Sequence, residues 1–325
     1  MTNKCFYRFI LEFGLIILLS LCFFNCAFSF SSNQMENELR IISWNLQTFF
    51  DPITEGTEYE EFQNSNKWNT EKYQDRLNLL CDFIEKQDAD IYAFTELENK
   101  NIMQDISNNL STRGIFGTKY KYACFGKNPN GVFGCGVISK YPLENVKLHN
   151  VDFSSEQPEL RPLLEVTAYG KDQKPFSLFL CHWKSKSGGE AETELWRDLQ
   201  EGLLASSIEK AENQHILVCG DFNRDLNEFF FNNSKDRILL RNFNKNKLSS
   251  IQLVNPWIFS NEKGSYNFNE EWNKIDHFFL SENINLLDFH TIKDFTNEEG
   301  LPVKYSVRNG KGYSDHLPIV CLISF

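Results

Sequence analysis

The sequence predicts a mixed α/β or α+β domain. Short runs of β-branched and aromatic residues recur along the chain between turn-forming residues, whereas only a few segments show helical spacing of apolar residues. This alternation lacks the regular strand–helix–strand repeat of a parallel sheet and favours two packed mixed sheets with helices outside. No Pro/Gly/Ser-rich linker, internal repeat or low-complexity block divides the 325 residues, so we expect one catalytic domain.

The N-terminal 29 residues are predicted to be a cleaved export signal. Lys4 and Arg8 give the segment a basic start, an apolar run covers residues 13–24, and Ala27-Phe28-Ser29 has the small-x-small form of a signal-peptidase site. The apolar run is shorter than the roughly 20 residues that a transmembrane helix needs. We therefore expect an exported protein, either periplasmic or extracellular.

A lipoprotein signal is the alternative. Cys22 and Cys26 lie where a lipid-modified cysteine would stand, although Leu21 and Asn25 before them differ from the small residue that usually precedes such a cysteine. Acylation would anchor the mature protein to a membrane. Without a lipid anchor we expect no membrane contact.

The charge of the chain limits the function classes. A polar leader is predicted over residues 30–38 and the catalytic domain over residues 39–325, and the whole chain has a formal net charge of −11. This argues against binding through a general basic surface, as in architectural DNA-binding proteins. It is compatible with an enzyme that handles phosphodiesters briefly while a divalent metal supplies local positive charge. We expect a monomer without a stable protein partner.

The N-terminal half predicts two strands with a helix between them. The first strand, Leu39 to Trp44, leads to Asn45, and the second ends at Glu96. Phe49 to Trp68 is acidic and irregular, so we predict a solvated surface loop beside the site. Thr70 is a suitable N-cap for a helix, because apolar residues recur behind it at helical spacing.

Residues 119–139 predict a β-hairpin. Cys124 and Cys135 flank a turn-forming segment at residues 127–131, and a hairpin that turned there would place them opposite each other. An exported protein can oxidise such a pair, so a Cys124–Cys135 disulfide is a hypothesis. The other cysteines beyond the signal lie mostly in apolar runs, where cysteine acts as a small hydrophobe.

A second group of strands follows. Arg161 opens a strand that leads through a turn into the strand ending at His182. The next loop carries Lys184 and Lys186 beside a glycine pair, a composition that suits contact with phosphate oxygens.

Residues 194–210 predict a helix, and its inward side chains are expected to be Leu195, Leu199, Leu203 and Ile208. Further along, Phe229-Phe230-Phe231 is expected to pack in the interior rather than stack on nucleobases.

The most informative stretch is the apolar run from Ile216, which ends in Gly220-Asp221-Phe222-Asn223. Residues i and i+2 of a strand point to the same side, so Asp221 and Asn223 are expected to converge on one ligand at the carboxyl end of a buried strand. Later segments add Asp276 and the pair Asp315-His316. Gathering polar groups at the ends of several apolar strands costs free energy unless something binds them.

The order of these residues resembles the endonuclease/exonuclease/phosphatase superfamily, whose fold is DNase I-like. The resemblance covers the chain from about Arg40 to its end, and it implies a four-layer α/β sandwich, with two packed mixed β-sheets flanked by helices. The segment His182-Trp-Lys-Ser-Lys186 is also similar to the exported bacterial nuclease branch of the superfamily. The residues that carry the resemblance are Asn45, Glu96, His182, Asp221, Asn223, Asp276, Asp315 and His316.

The resemblance implies a Mg²⁺ site, with Mn²⁺ or Ca²⁺ as possible substitutes. Glu96 would be the principal ligand, and Asn45 and Asp315 would complete or support the site. Carboxylate oxygens are the ligands that Mg²⁺ prefers, and the ion usually keeps several waters. Arg161 matches the phosphate-side arginine of the family.

The resemblance also implies catalytic roles. Asp221 would orient or deprotonate water, and Asn223 would donate to a phosphoryl oxygen. Asp276 would fix the tautomer of His316 and raise its basicity. His182 would contact phosphate or protonate the leaving oxygen, and the choice between the two histidines as acid and base stays open.

An exported, Mg²⁺-dependent DNA endonuclease of low sequence specificity is the first functional hypothesis, with nucleic acid, DNA first, as its substrate. His182 favours it over an abasic-site repair enzyme, because that branch generally has no histidine at this place. A sphingomyelinase-like phosphodiesterase or an inositol-phosphate phosphatase is the alternative, since fold and catalytic set are shared. A non-enzymatic binding module is a third hypothesis, and the completeness of the catalytic set argues against it.

Overall fold

The computed structural model describes residues 37–114, 117–151, 158–230, 237–242 and 249–325, and the predicted signal lies outside them. The helices are α1 (Thr70–Gln87), α2 (Lys100–Arg113) and α3 (Glu190–Ile208), and short 3₁₀ turns cover Leu226–Phe229 and Pro256–Phe259. The strands are β1 (Leu39–Phe49), β2 (Ile91–Leu97), β3 (Tyr122–Gly126), β4 (Gly134–Ser139), β5 (Leu143–His149), β6 (Leu163–Tyr169), β7 (Pro175–His182), β8 (Ile216–Asp221), β9 (Ile238–Asn242), β10 (Ser249–Leu253), β11 (Tyr266–Phe268), β12 (Glu271–Asn273), β13 (Asp276–Leu280), β14 (Asn285–Thr291) and β15 (Ile319–Ser324). No helix in the described ranges is long and apolar enough to cross a membrane.

Two large mixed sheets form the centre of the unit Leu39–Phe325. The six-stranded sheet has the order β14-β15-β1-β2-β4-β3, and the five-stranded sheet has the order β13-β8-β7-β6-β5. β1 runs parallel to β2, and β7 runs parallel to β8. The carboxyl ends of each parallel pair therefore meet at one edge of their sheet, which is where polar side chains follow the apolar runs.

Alternation along the strands separates two cores. Ile41 of β1 belongs to the core shared with the five-stranded sheet, whereas its neighbour Ile42 belongs to the core under the helices. Tyr73 and Leu77 of α1 pack in that second core, and Leu204 of α3 packs in the first. The predicted arrangement of two packed mixed sheets flanked by helices is confirmed.

The N-terminal part shows two differences from the sequence predictions. Asn69, and not Thr70, caps α1, because the Asn69 side chain accepts a hydrogen bond from the backbone N–H of Lys72. The segment from Phe49 to Trp68 is not simply a solvated loop. Phe62 and Trp68 are buried within it and pack against each other with ring centroids 5.2 Å apart.

The Cys124–Cys135 disulfide is not formed, and both residues are free cysteines. The loop of the hairpin extends to residue 133, so Cys124 pairs with Val137 and Cys135 pairs with Gly126. The two cysteines are thus diagonal neighbours about 7–8 Å apart. A disulfide needs Cβ atoms about 3.5–4.5 Å apart.

The inward face of α3 also differs from the prediction. Leu195 is 53% exposed, and Leu199, Leu203 and Ile208 are only partly buried. Arg197 and Glu201 are buried instead, because the inner face of α3 receives an ion-pair network and not a purely apolar stripe.

Candidate active site

Strand register brings the predicted polar residues together at one edge of the sandwich. In the five-stranded sheet, His182 pairs with Asp221, and Asp221 pairs with Asp276 on the antiparallel strand β13. In the six-stranded sheet, Asn45 pairs with Thr95, the residue before Glu96. The two sheets therefore supply the two halves of one site.

Asn45 joins these halves. Its side-chain Nδ2 donates to Glu96 Oε1 at 3.1 Å and to Asp221 Oδ2 at 3.0 Å. The residue is 1% exposed, and its Oδ1 accepts from the backbone N–H of Gln47. The amide thus holds two carboxylates from different sheets beside each other.

Glu96 is held in an unusual backbone conformation. Its φ of +61° lies in the left-handed region, which a residue with a side chain adopts only at a cost in free energy. One carboxylate oxygen accepts from the backbone N–H of Thr48, and the other lies 3.8 Å from His182 Nε2. The bend at the end of β2 aims Glu96 at the same space as His182.

Asp221 is buried at the end of β8. Burial raises the pKa of its carboxyl, and the charge of Asp276 adds to the effect, giving a value of about 7. Gly220 before it has a φ of +128°, and a Cβ there would lie 2.0 Å from the carbonyl oxygen of Cys181. Only glycine therefore fits at this approach of β8 to β7.

Asn223 lies beyond the end of the strand, so the predicted same-side pairing with Asp221 is not the geometry found. Asn223 has a φ of +48°, and its backbone N–H donates to Asp221 Oδ1 at 2.8 Å. Its side-chain Nδ2 donates to the carbonyl of Trp183 at 3.2 Å. The turn keeps Asn223 beside Asp221 by a hydrogen bond between the residues themselves.

Asp276 and His316 form a buried hydrogen-bonded dyad. His316 Nδ1 lies 2.7 Å from Asp276 Oδ2, and the Ser265 hydroxyl donates to the same oxygen at 2.6 Å. Burial alone would lower the pKa of His316. The charge of Asp276, with Asp221 and Asp315, outweighs burial and raises the pKa to about 10. The raised pKa favours the imidazolium form of His316 at neutral pH.

His182 has the opposite electrostatics. It is 2% exposed, and burial, followed by the positive charges of Arg161 and His316, holds its pKa well below the ordinary value. Its Nε2 lies 3.8 Å from Glu96 and 3.9 Å from Asp221. His182 Nδ1 has no hydrogen-bond partner among the described residues. Nε2 is thus the ring nitrogen that faces the two carboxylates, and neither carboxylate is within hydrogen-bond distance of it.

The oxygen donors of the site fit a hard divalent cation. The Asn45 amide holds carboxylate oxygens of Glu96 and Asp221 beside each other, and such oxygens are the ligands that a hard divalent cation prefers. Asp315 is partly buried and makes no hydrogen bond or ion pair with the described residues, so its carboxylate is available. Asp221, Asp276 and His316 also bring potential ligand atoms within 4.8 Å of one another. We favour the Glu96 side for a cation, because His316 Nδ1 is already bonded to Asp276.

The predicted basic residues are placed differently from one another. Arg161 and Lys184 line one pocket beside the site. Lys186 instead forms ion pairs with Glu190 at 2.5 Å and Glu228 at 2.9 Å, so its charge is neutralised.

Sequence reasoning missed several supporting residues. The buried Arg76 of α1 donates to the backbone carbonyls of Leu46, Gln47 and Thr48, and so fixes the segment after Asn45. A charged residue on the apolar face of α1 was the available signal for it. The Tyr266 ring lies 4.6 Å from the His316 ring, and no sequence pattern indicated that contact.

A model of the endonuclease/exonuclease/phosphatase family matches residues 40–324. The chain belongs to this family. Members of the family are phosphoesterases, and they generally depend on a divalent metal ion. No curated protein matches the sequence.

Solved structures of the endonuclease/exonuclease/phosphatase family are similar in fold. A humanized D. rerio TDP2 has 16% identity and a TM-score of 0.58, with 89% of this chain and 99% of that chain covered. The human Nocturnin catalytic domain with a bound sulfate has 18% identity and a TM-score of 0.55, with 89% and 94% covered. A Bacteroides thetaiotaomicron mannosyl-6-phosphatase has 13% identity and a TM-score of 0.56, with 88% and 100% covered. At these identities the similarity shows the fold alone, a DNase I-like α/β sandwich.

Proposed function

We propose that the protein is an exported, Mg²⁺-dependent phosphodiesterase, and that its substrate is DNA, cut as an endonuclease with low sequence specificity. The observation that carries the proposal is that Asp221 lies between two histidines whose pKa values are shifted in opposite directions. Neutral His182 lies 3.9 Å from Asp221 on one side, and the charged His316 lies within 4.8 Å on the other.

Phosphodiester hydrolysis needs an activated water, neutralisation of the phosphoryl oxygens and help for the leaving oxygen. Asp221 suits the first task, because a pKa of about 7 lets the carboxylate accept a proton near neutral pH. The water oxygen forms the new bond to phosphorus, its proton passes to Asp221, and the bond to the leaving oxygen breaks.

The two histidines suit the other two tasks, which are protonation of the leaving oxygen and hydrogen bonding to a phosphoryl oxygen. His316 carries a proton at neutral pH and can give it to the leaving oxygen, while Asp276 stabilises the imidazolium before transfer. Neutral His182 can donate one hydrogen bond from Nε2 to a phosphoryl oxygen. Mg²⁺, when held by Glu96 with Asn45 and Asp315, supplies the positive charge that the phosphoryl oxygens require.

Two features support a polynucleotide substrate. Arg161 and Lys184 place positive charge beside the site of an otherwise acidic chain, and both line a pocket large enough for more than the scissile phosphate. His182 is the residue that distinguishes this nuclease hypothesis from the abasic-site repair branch.

Purified protein of residues 30–325 tests the proposal. Supercoiled plasmid and, in parallel, sphingomyelin vesicles and an inositol phosphate are incubated with Mg²⁺ or with EDTA, and His182→Ala is the control. We expect nicked plasmid only with Mg²⁺ and only with the unaltered protein. Plasmid that stays intact while phosphocholine or inorganic phosphate is released would overturn the nuclease assignment.

A phospholipid substrate is the second candidate. Phe268 in the hairpin of β11 and β12 is 58% exposed, and its ring stacks on Tyr266, which contacts His316. This places an apolar side chain next to the dyad, where a lipid surface would meet it. Phe229, by contrast, is buried, as predicted for the Phe229–Phe231 run, of which Phe231 lies outside the described residues.

A further inference from the structure

A pocket of about 320 Å³ opens beside the catalytic centre. Its size falls at the lower end of the range of small-ligand sites, about 300–1,000 Å³. Four separate segments build it: the segment after β1 supplies Tyr59, the loop between β3 and β4 supplies Val132 and Phe133, the approach to β6 supplies Arg161, and the loop after β7 supplies Lys184.

The two cations of the pocket lack acidic partners. Arg161 makes no hydrogen bond or ion pair with any of the described residues, and the Lys184 ammonium donates only to the carbonyls of Ser185 and Ser187. Glu159 also lines the pocket, but it pairs with neither cation in the described part of the chain. Burial, then Arg161 and Arg197, lower the pKa of Lys184, as expected for cations gathered without a counter-charge. An anionic group on the ligand would supply that counter-charge.

Tyr59 forms an exposed aromatic surface on the same pocket. Its side chain is 49% exposed, and its ring is supported by edge contacts with Phe50 and Phe133, both with centroids 5.8 Å away. Arg161 lines the same pocket as Tyr59. A fixed, half-exposed ring at such a position suits stacking against a planar group.

We propose that this pocket is a nucleotide subsite, in which Tyr59 stacks on the nucleotide next to the scissile phosphate and Lys184, with Arg161, binds the phosphate that follows. The inference rests on the proposed nuclease function and adds to it a place for the flanking nucleotide. A polynucleotide presents a ring and a phosphate in alternation, which matches one aromatic ring beside two unpaired cations.

Two kinds of substrate test the subsite. Single-stranded oligodeoxynucleotides of increasing length report on the pocket, whereas methyl p-nitrophenyl phosphate reports on the chemical step. For the unaltered protein with Mg²⁺, we expect KM to fall when the oligonucleotide becomes long enough to reach the pocket. Tyr59→Ala should raise the KM for the long oligonucleotide roughly five- to tenfold, with a smaller change in kcat. Lys184→Ala should raise the same KM and flatten its dependence on salt.

Matched variants complete the experiment. Tyr59→Phe keeps the ring and should keep the low KM. Tyr122→Ala and Lys174→Ala alter exposed residues that do not line the pocket, and they should leave the KM unchanged. An unchanged KM in Tyr59→Ala, with plasmid nicking intact, would refute the subsite and leave the nuclease proposal standing. Failure of the unaltered protein to cleave both the plasmid and every oligonucleotide would instead refute the nuclease proposal.

Discussion

The side-chain amide of Asn45, on β1 of one sheet, donates a 3.0 Å hydrogen bond to Asp221, on β8 of the other. The same amide holds Glu96 at 3.1 Å. The proposed base and the proposed metal ligand are therefore positioned by one residue that contacts both.

Asn45→Ala should lower kcat for plasmid nicking by about 10²-fold, the order of loss expected when groups at the reacting centre are misplaced by about 1 Å. The loss should be mainly in kcat, because the amide orients Asp221 and Glu96 and lies too deep to bind remote parts of the substrate. Steady-state kinetics with saturating Mg²⁺ measures it. A loss confined to KM would contradict the positioning role.

Asp276→Asn should make activity sensitive to alkaline pH. In the unaltered protein the raised pKa of His316, about 10, keeps the ring charged through neutral pH. Without the Asp276 charge and hydrogen bond, only Asp221 and Asp315 oppose the effect of burial, so the pKa of His316 falls and the ring loses its proton at a lower pH than in the unaltered protein. We expect a loss of about 10²-fold or more at pH 8 and a smaller loss at pH 5.5. Equal losses at both pH values would show that Asp276 does not act through the charge of His316.

His277 should make the fold sensitive to acid. Its Nδ1 contacts Asn255 at 3.0 Å and its Nε2 contacts the Arg224 carbonyl at 2.9 Å, and burial lowers its pKa from 6.5 to about 4. The unfolded chain therefore binds the proton more tightly, so stability falls as pH drops from 6.5 towards 4. Protonation of His277 should lower the free energy of unfolding by about 2 kcal/mol at pH 5. Urea unfolding at pH 7 and pH 5 measures it.

Comparison with His277→Gln isolates the contribution of His277 to the pH dependence of stability, because the carboxyl groups titrate in both proteins. Between pH 7 and pH 5 the variant should lose about 2 kcal/mol less than the unaltered protein. The same pH dependence in both proteins would show that His277 is not the responsible group.

Arg224→Met should destabilise the fold by about 2 kcal/mol, because it removes charge-assisted hydrogen bonds to three carboxylates and leaves the buried Glu201 with Arg241 as its remaining cation. Arg224 is fully buried and pairs with Glu201 at 2.6 Å, with Asp198 at 2.9 Å and with Glu194. Glu194 and Asp198 are partly exposed, so Glu201, at 1% exposure, accounts for most of the cost. Chemical denaturation measures the change.

Lys86→Ala is the matched control for Arg224→Met. Its ion pair with Asp294 is exposed on both sides, so its removal should cost less than about 1 kcal/mol. A similar small cost for both variants would mean that the α3 network is not a buried one in solution.

The fold class could be predicted because it depends on local patterns. Asp221 and Asp276 stand at the ends of apolar runs, and their residue types and order are visible without any knowledge of packing. The helix α2 was missed because its segment is rich in polar residues, and its Asn99 cap resembles any other turn residue. The pairing of Cys124 and Cys135 was wrong because hairpin register depends on where the loop ends.

The parts of the site that could not be predicted depend on distant contacts. Tyr59 becomes a site residue only because Phe50 and Phe133 support it, and Phe133 comes from a hairpin far along the chain. Similarly, Lys184 and Lys186 look alike in sequence. Their roles diverge because Glu190 and Glu228 approach only one of them.

The burial of the cysteine thiols affects how the protein reacts with oxidants in the oxidising compartment to which we propose it is exported. Burial raises the pKa of Cys135 to about 12 and that of Cys219 above its ordinary value, so neither offers the thiolate that oxidants and disulfide exchange require. Burial therefore disfavours oxidation of these two thiols in the folded chain, whereas unfolding exposes them to oxidants and to one another. Rapid folding after translocation, and not catalysed disulfide formation, would then prevent non-native disulfides from forming.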